Sequence, residues 1–207
     1  QNWDDLQYWL HLGFALEQAH ALFALDDISL DKIKTNPELV IRQATQENRA
    51  IVQCFSDLIP KATAGAPVWG VALPESLPDI REGYGELLDE EWTIVGLAFL
   101  EEAAVGILVY RTLNSQDLSM LIPEYCARLT VASTKPHARG KKVTSSLFAH
   151  ALQHAKENGF RYLETDWRIA NLAASRTWPW LGFQQVATRL VRKVDPRIVW
   201  ANGENKI

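Results

Sequence analysis

The chain has 207 residues, room for one full domain and part of a second, and its 47% hydrophobic and 22% charged residues mark a folded globular protein rather than a disordered or fibrous one. A formal net charge of −4 argues against generic nucleic-acid binding. The longest apolar stretch, 92–110, is cut by Glu101 and Glu102, which leaves no membrane-spanning helix to expect.

Residues 4–25 mix a helical pattern with a strand-like one, and Gly13 marks the expected junction. The polar stretch 26–37 ends in Asn36-Pro37 and reads as a linker, so that a new domain begins near Glu38. Thr45 is a candidate N-cap for one helix carrying Ile51, Val52, Phe55, Leu58 and Ile59 on a buried face. Gly and Pro residues make 61–78 an irregular arm before a short acidic helix over 79–88. Segments 92–100 and 103–112 read as a hairpin turned at Glu101-Glu102, and 126–132 as a third strand. A helix over 140–158 stopped by Gly159, a buried strand over 160–167, a short helix over 171–178 and a last strand over 183–194 complete the order.

Cys54 and Cys126 lie far apart without metal-type spacing, so no disulfide framework or structural metal is expected and a reducing cytoplasm is the default. His150 and His154 are four apart on one helix, but Ala151 stands where a zinc-peptidase motif needs Glu, and they read as edge-of-face residues. The stretch LTVASTKPHARGKKVTSSL, from Leu129 to Leu147, takes a strand through a loop into a helix. That helix opens with Arg139, Lys141 and Lys142 and no acid, although helix N-termini favour negative charge. A bound anion, such as a phosphate or pyrophosphate, resolves the mismatch; side chains fanned into solvent are the plainer reading. Lys135 and Lys142 exclude a Walker A loop, and Gly140 is alone between Gly106 and Gly159, which excludes a G-x-G-x-x-G fingerprint.

RGKKVTSSL, from Arg139, resembles the acetyl-CoA pyrophosphate loop (R/Q-x-x-G-x-G/A) of the GNAT superfamily of N-acetyltransferases. Asn171, Ala174, Trp178, Gly182 and Phe183 resemble its second signature, N-x-x-A-x-x-x-Y-x-x-x-G-F. The resemblance covers about residues 39–195 and implies an α/β (α+β) fold, a mixed, mostly antiparallel central sheet flanked by helices. It implies direct attack of an amine, on a small molecule or peptide, on the thioester of acetyl-CoA as co-substrate, with no metal. By the same resemblance, Leu129, Thr130 and Val131 offer backbone N–H groups to the pantetheine and carbonyl. Arg139, Gly140, Lys141, Lys142, Val143 and Thr144 would hold the pyrophosphate, and Asn171 the pantetheine arm. Glu124, Glu164 and Asp166 are the candidate general bases, and Tyr125 is a candidate thiolate acid. Lys142 and Thr144 replace small loop residues, and Trp178 stands where many members have a tyrosine, whose acid role an indole cannot take. These departures support an alternative: a degenerate GNAT domain that binds CoA, another anion or a protein partner without turnover.

The acidic residues between Glu75 and Glu102 read as a solvated face or as a field drawing an ammonium-bearing acceptor. Trp9-Leu-His-Leu-Gly13-Phe14 shares four of six residues with Trp178-Pro-Trp-Leu-Gly182-Phe183. With Gln1 and no initiator Met, this echo sets the expectation of a tandem protein, residues 1–25 being the last helix and strand of an upstream half. Residues 26–37 would then be a linker and 38–207 the acetyltransferase domain. The orphaned strand is expected to pair with a sheet edge, here or in a neighbouring copy. Trp3, Trp69 and Trp200, in irregular stretches, suit a homodimer interface or simple burial.

Overall fold

In the computed structural model, the residues described are 3–25, 33–112 and 121–195; most of the expected linker and Trp200 lie outside them. The elements in chain order are α1 (Trp3–His11), β1 (Ala15–Ala24), β2 (Leu39–Gln43), α2 (Arg49–Gln53), α3 (Leu58–Ala64), α4 (Leu77–Glu86), β3 (Thr93–Leu100) and β4 (Ala103–Thr112). They continue with β5 (Cys126–Thr134), α5 (Val143–Glu157), β6 (Tyr162–Arg168), α6 (Leu172–Trp180) and β7 (Gln184–Val191). Seven strands form one sheet in the order β2-β3-β4-β5-β6-β1-β7, antiparallel throughout except for the β5–β6 pair.

Two apolar layers sandwich this sheet. Alternate residues of β1 and β6, including Ala19, Ala21, Phe23 and Leu163, face α5 and α6 and meet Leu147, Phe148, Ala151 and Leu152. On the other face Val95, Leu97, Ile107 and Val109 of the β3–β4 hairpin meet Val52 and Phe55. Gly106 sits where a Cβ would lie 2.3 Å from Val143 Cγ1, so its missing side chain lets α5 lie close against β4.

Three expectations change. The helix from Thr45 is not continuous: a 3-10 turn at Gln46–Asn48 leads into α2, and residues 54–57 break the path before α3. The apolar spacing continues across this break because both pieces present residues to the same layer. The β5 strand runs on to Thr134, two residues past the expected end.

The third change is larger. Gly13, at φ +81°, does join a helix to a strand, but β1 does not extend a sheet edge; it lies between β6 and β7. Backbone pairing on both sides satisfies its polar groups, and Phe23 and Leu25 are each 1% exposed. A bulge in its pairing with β7 sets Glu17 out of register, where Arg168 of β6 and Arg189 of β7 (Nε to Oε2, 2.7 Å) both reach its carboxylate. Those guanidinium groups, Arg168 first, hold the Glu17 carboxyl below its ordinary range. Among the described residues no helix is long and apolar enough to cross a membrane.

Candidate active site: a cleft where two parallel strands part

The site begins with a fault in β5. Val131 pairs with Val109 and Leu129 with Tyr110, so Thr130 is an extra residue, a bulge whose hydroxyl donates to Val109 O at 3.4 Å. The bulge shifts the alternation, so Leu129 and Ala132 serve the α5 layer while Val131 packs against the opposite one. On its other side β5 pairs with β6 only from Cys126↔Tyr162 to Leu129↔Thr165. Beyond that point the parallel strands part, leaving the β6-side edge of residues 130–134 without a strand partner.

A cavity of about 800 Å³ occupies the gap. Its floor on β5 is Ala132, Ser133 and Thr134; α3 supplies Leu58, Ile59 and Thr63, and the chain after it Ala66, Pro67 and Val68. Facing these stand the start of α5 and the length of α6 from Asn171 to Trp180.

The mouth is basic for a local reason. After β5 a 3-10 turn (Pro136–Ala138) leads through Arg139 and Gly140 (φ +78°) to Lys142, the α5 N-cap residue, held at φ +58°. No side chain caps the helix, so its first-turn N–H groups have no acceptor within it. Among the described residues Arg139 and Lys141 make no ion pair. Lys142 instead turns its ammonium towards Thr35 O at 3.5 Å, where residues 34–36 clasp the loop: Ser145 Oγ donates to Lys34 O at 2.8 Å and Asn36 Nδ2 to Lys141 O at 3.2 Å. Thr144 Oγ1 lies 3.2 Å from Thr134 Oγ1, tying the helix start to the floor.

Asn171 opens α6 as its N-cap, its Oδ1 accepting from Ala174 N at 3.3 Å; the side-chain amide NH2 remains to donate. Trp178 is buried edge-on against Phe183 (ring centroids 5.4 Å apart) and Phe148, with one surface on the cavity.

Of the expected binding residues, Arg139, Gly140, Lys142, Val143, Thr144 and Asn171 line this one cavity, with Lys141 exposed in the same loop. Leu129, Thr130 and Val131 do not line it, because Leu129 is still paired to β6 and the bulge follows; the floor lies just downstream. The catalytic candidates fare differently. Glu124 and Tyr125 precede the other end of β5, and a rise of about 3.3 Å per residue puts Tyr125 about 23 Å from Ala132. Tyr125 is 64% exposed, and its carbonyl accepts from Arg161 and Tyr162 N–H groups. Asp166 lies on the sheet face away from α6, held by Arg128 (3.3 Å) and Gln18.

Glu164 shares that face and is 1% exposed. Arg128 Nε is 3.0 Å from one of its oxygens and His20 Nδ1 3.6 Å from the other. Burial outweighs Arg128 and pushes the Glu164 carboxyl above its ordinary 4.5. Burial likewise pushes the Cys126 thiol up to about 12, which removes it as a nucleophile. Sequence reading missed the α3 wall, Pro67, Val68 and the floor residues; the Gly and Pro residues of 65–78 were the one local sign of an unusual path.

The acidic stretch does not line the cavity. Its members are largely solvent-facing, and Asp89 is tied to Arg49 (2.6 Å) and Glu90 to Arg111 (3.1 Å). Among the described residues no three His, Cys, Asp or Glu side chains are grouped to hold a metal.

Several solved structures share this architecture. PaiA N-acetyltransferase from Thermoplasma acidophilum, solved with coenzyme A, superposes with a TM-score of 0.57 at 20% identity over 76% of this chain and 93% of that one. The aminoglycoside N-acetyltransferase AAC(6')-Iy, solved with CoA, gives 0.53 at 17% identity over 77% and 95%. A tandem GNAT protein from the clavulanic acid biosynthesis pathway gives 0.56 at 15% identity, covering 92% of this chain, which spans 57% of the tandem protein's length. At such identities the likeness is one of fold. No curated protein sequence matches the chain. The sequence pattern of the acetyltransferase (GNAT) family matches residues 64–183, more than half of the chain. With the parted strands and the uncapped basic helix start inside that span, the chain belongs to the GNAT acetyltransferase family.

Proposed function

We propose that this chain is an acetyl-CoA-dependent N-acetyltransferase that acetylates an amine of a small molecule or peptide. The observation that carries the reading is the cavity in the gap between β5 and β6, which both the Arg139–Thr144 loop and Asn171 border. The residues present suit the nucleotide thioester: unpaired cations and free helix N–H groups for pyrophosphate, an unpartnered strand edge and the Asn171 amide for the pantetheine. The relatives solved with CoA support the same reading.

In the transfer, the amine nitrogen bonds to the thioester carbonyl carbon, the carbon–sulfur bond breaks, the amine loses a proton and the thiolate gains one. The chain's part is alignment, with β5 backbone donors available to the carbonyl oxygen. A cytoplasmic location and a homodimer remain part of this proposal.

A second reading has its own support. Trp178 cannot donate a proton to a thiolate, and none of the described residues lining the cavity is a carboxylate, which suits a domain that binds CoA, another anion or a protein partner without turnover.

Calorimetric titration of acetyl-CoA and CoA, followed by an amine panel, separates the two. Micromolar binding, weakened at least about tenfold by Arg139→Ala with Lys141→Ala, supports the pyrophosphate site. Turnover of any amine then selects the enzyme, and binding without turnover selects the second reading. Failure of the wild-type chain to bind either nucleotide overturns both CoA-based readings.

A further inference from the structure

The sequence echo between the two ends of the chain is also an echo in atoms. In the α6–β7 unit, Gly182 (φ +104°) donates to Pro179 O at 3.0 Å, Phe183 donates to Trp178 O at 3.0 Å, and the two rings meet edge-on at 5.4 Å. In the α1–β1 unit, Gly13 (φ +81°) donates to Leu10 O at 2.9 Å, Phe14 donates to Trp9 O at 3.1 Å, and the rings meet edge-on at 5.3 Å. Helix, glycine cap, aromatic pair and strand recur in the same order with the same bonds.

What differs is the receptor for the aromatic pair. Trp178 and Phe183 are 7% and 3% exposed because Phe148 of α5 receives them, with ring centroids at 6.5 and 5.4 Å. Trp9 is 49% exposed and Leu12 57%, although β1, which follows directly, goes on to bury Ala19, Ala21 and Phe23 to 1% exposure or less. An exposed indole already locked edge-on to a phenyl ring is a preformed contact surface, because its rotamer entropy has been lost before any partner arrives. In this chain the α5 socket that receives such a pair is already filled by Trp178 and Phe183. A second copy of this chain therefore brings its own α5 socket already occupied.

We propose that Trp9 and Phe14 seat against the α5-type helix of another GNAT-fold domain, one that precedes residue 1 in the natural polypeptide and of which α1 is the last helix. The strand β1 would then belong to this sheet while its leading helix completes the core of the neighbour, one unit stapling two bodies. The tandem relative, which this chain covers to 57%, shows that the fold occurs in a two-domain chain. The inference rests on the duplicated unit and is independent of whether either domain turns over.

The test is photo-crosslinking in the full natural polypeptide, with benzoylphenylalanine placed at Trp9 and, in a second variant, at Leu12 in case the first disturbs the Phe14 contact; Val71, 89% exposed, is the control position. The expected result is cross-linked peptides from a preceding domain, centred on the helix that follows its own R/Q-x-x-G-x-G/A-type loop, from positions 9 and 12 and not from 71. Cross-links confined to residues 1–207, cross-links to a second copy, no cross-link from either position, or a coding sequence with no such domain ahead of residue 1 would each overturn the proposal.

Discussion

At its start β5 is hydrogen-bonded on both edges, to β4 and β6, and its side chains enter a network in which Arg128 reaches Glu164 and Asp166. By its end, past the Thr130 bulge, one edge is free and Ala132, Ser133 and Thr134 form the floor of the cavity. One nine-residue strand thus has two parts either side of a single inserted residue: pairing that holds the sheet, then a backbone edge left free along the cavity. Lesions in the first half should cost stability, and lesions around the second half should cost binding.

The sharpest break would come from Arg128→Ala. Removing the cation leaves Glu164 buried beside Asp166, and allowing for the partial exposure of Arg128 the loss of unfolding free energy is about 2 to 3 kcal/mol in urea titrations. The affinity for acetyl-CoA should stay within twofold or so. The Arg139→Ala, Lys141→Ala pair should give the mirror result, weaker nucleotide binding with an unchanged urea midpoint.

Lys142→Gly probes the junction between the two halves' partners. Lys142 sits at φ +58°, a conformation that costs a residue with a Cβ about 1 kcal/mol, and its ammonium faces Thr35 rather than the cavity. The variant should therefore be more stable by about that amount, with binding little changed. An affinity loss as large as that of the Arg139 pair would show that the ammonium swings onto the ligand.

The smallest effect is a pH dependence. Because burial raises the Glu164 carboxyl above 4.5, the folded chain keeps a proton there that the unfolded chain has lost. Its contribution is fully present below 4.5 and is lost as the pH rises through the raised value. Measured against Glu164→Gln, wild-type stability should decline as pH climbs from 4.5 and then level off. A difference that grows with pH would mean that Arg128 outweighs burial.

Much of the second half of the chain was legible because its signals are local. Gly159 and Gly182 adopt positive φ at the ends of α5 and α6, Asn171 stands at the start of α6 where a short helix is expected, and among the described residues Arg139 and Lys141 make no ion pair ahead of an uncapped helix. What was not legible depends on distant partners. The Thr130 bulge exists only relative to Val109 and Tyr110, and the ending of the β5–β6 pairing only relative to Thr165, so the sequence points to Leu129–Val131 while the cavity is lined by Ala132, Ser133 and Thr134 just beyond. Glu124 and Tyr125 suit the chemistry by residue type, but which end of β5 opens is set by the sheet and not by the residues beside it. The break at 54–57 was hidden because α2 and α3 keep an apolar rhythm across it.

The position of β1 also sets a schedule for making this protein. A ribosome releases residues 15–24 long before residues 162–168 and 184–191, the two strands between which they lie. Until the last of these emerges, β1 is a ten-residue strand with both backbone edges bare and Phe23 uncovered, the state in which nascent chains are most prone to stick to one another. The loop that must close runs from β1 to β6 and β7, well over a hundred residues on, so native pairing of β1 comes late and should pass slowly. A helper that shields residues 15–24 as they emerge would therefore raise the yield of folded protein more than one acting on the hairpin β3–β4, which completes itself within a few residues.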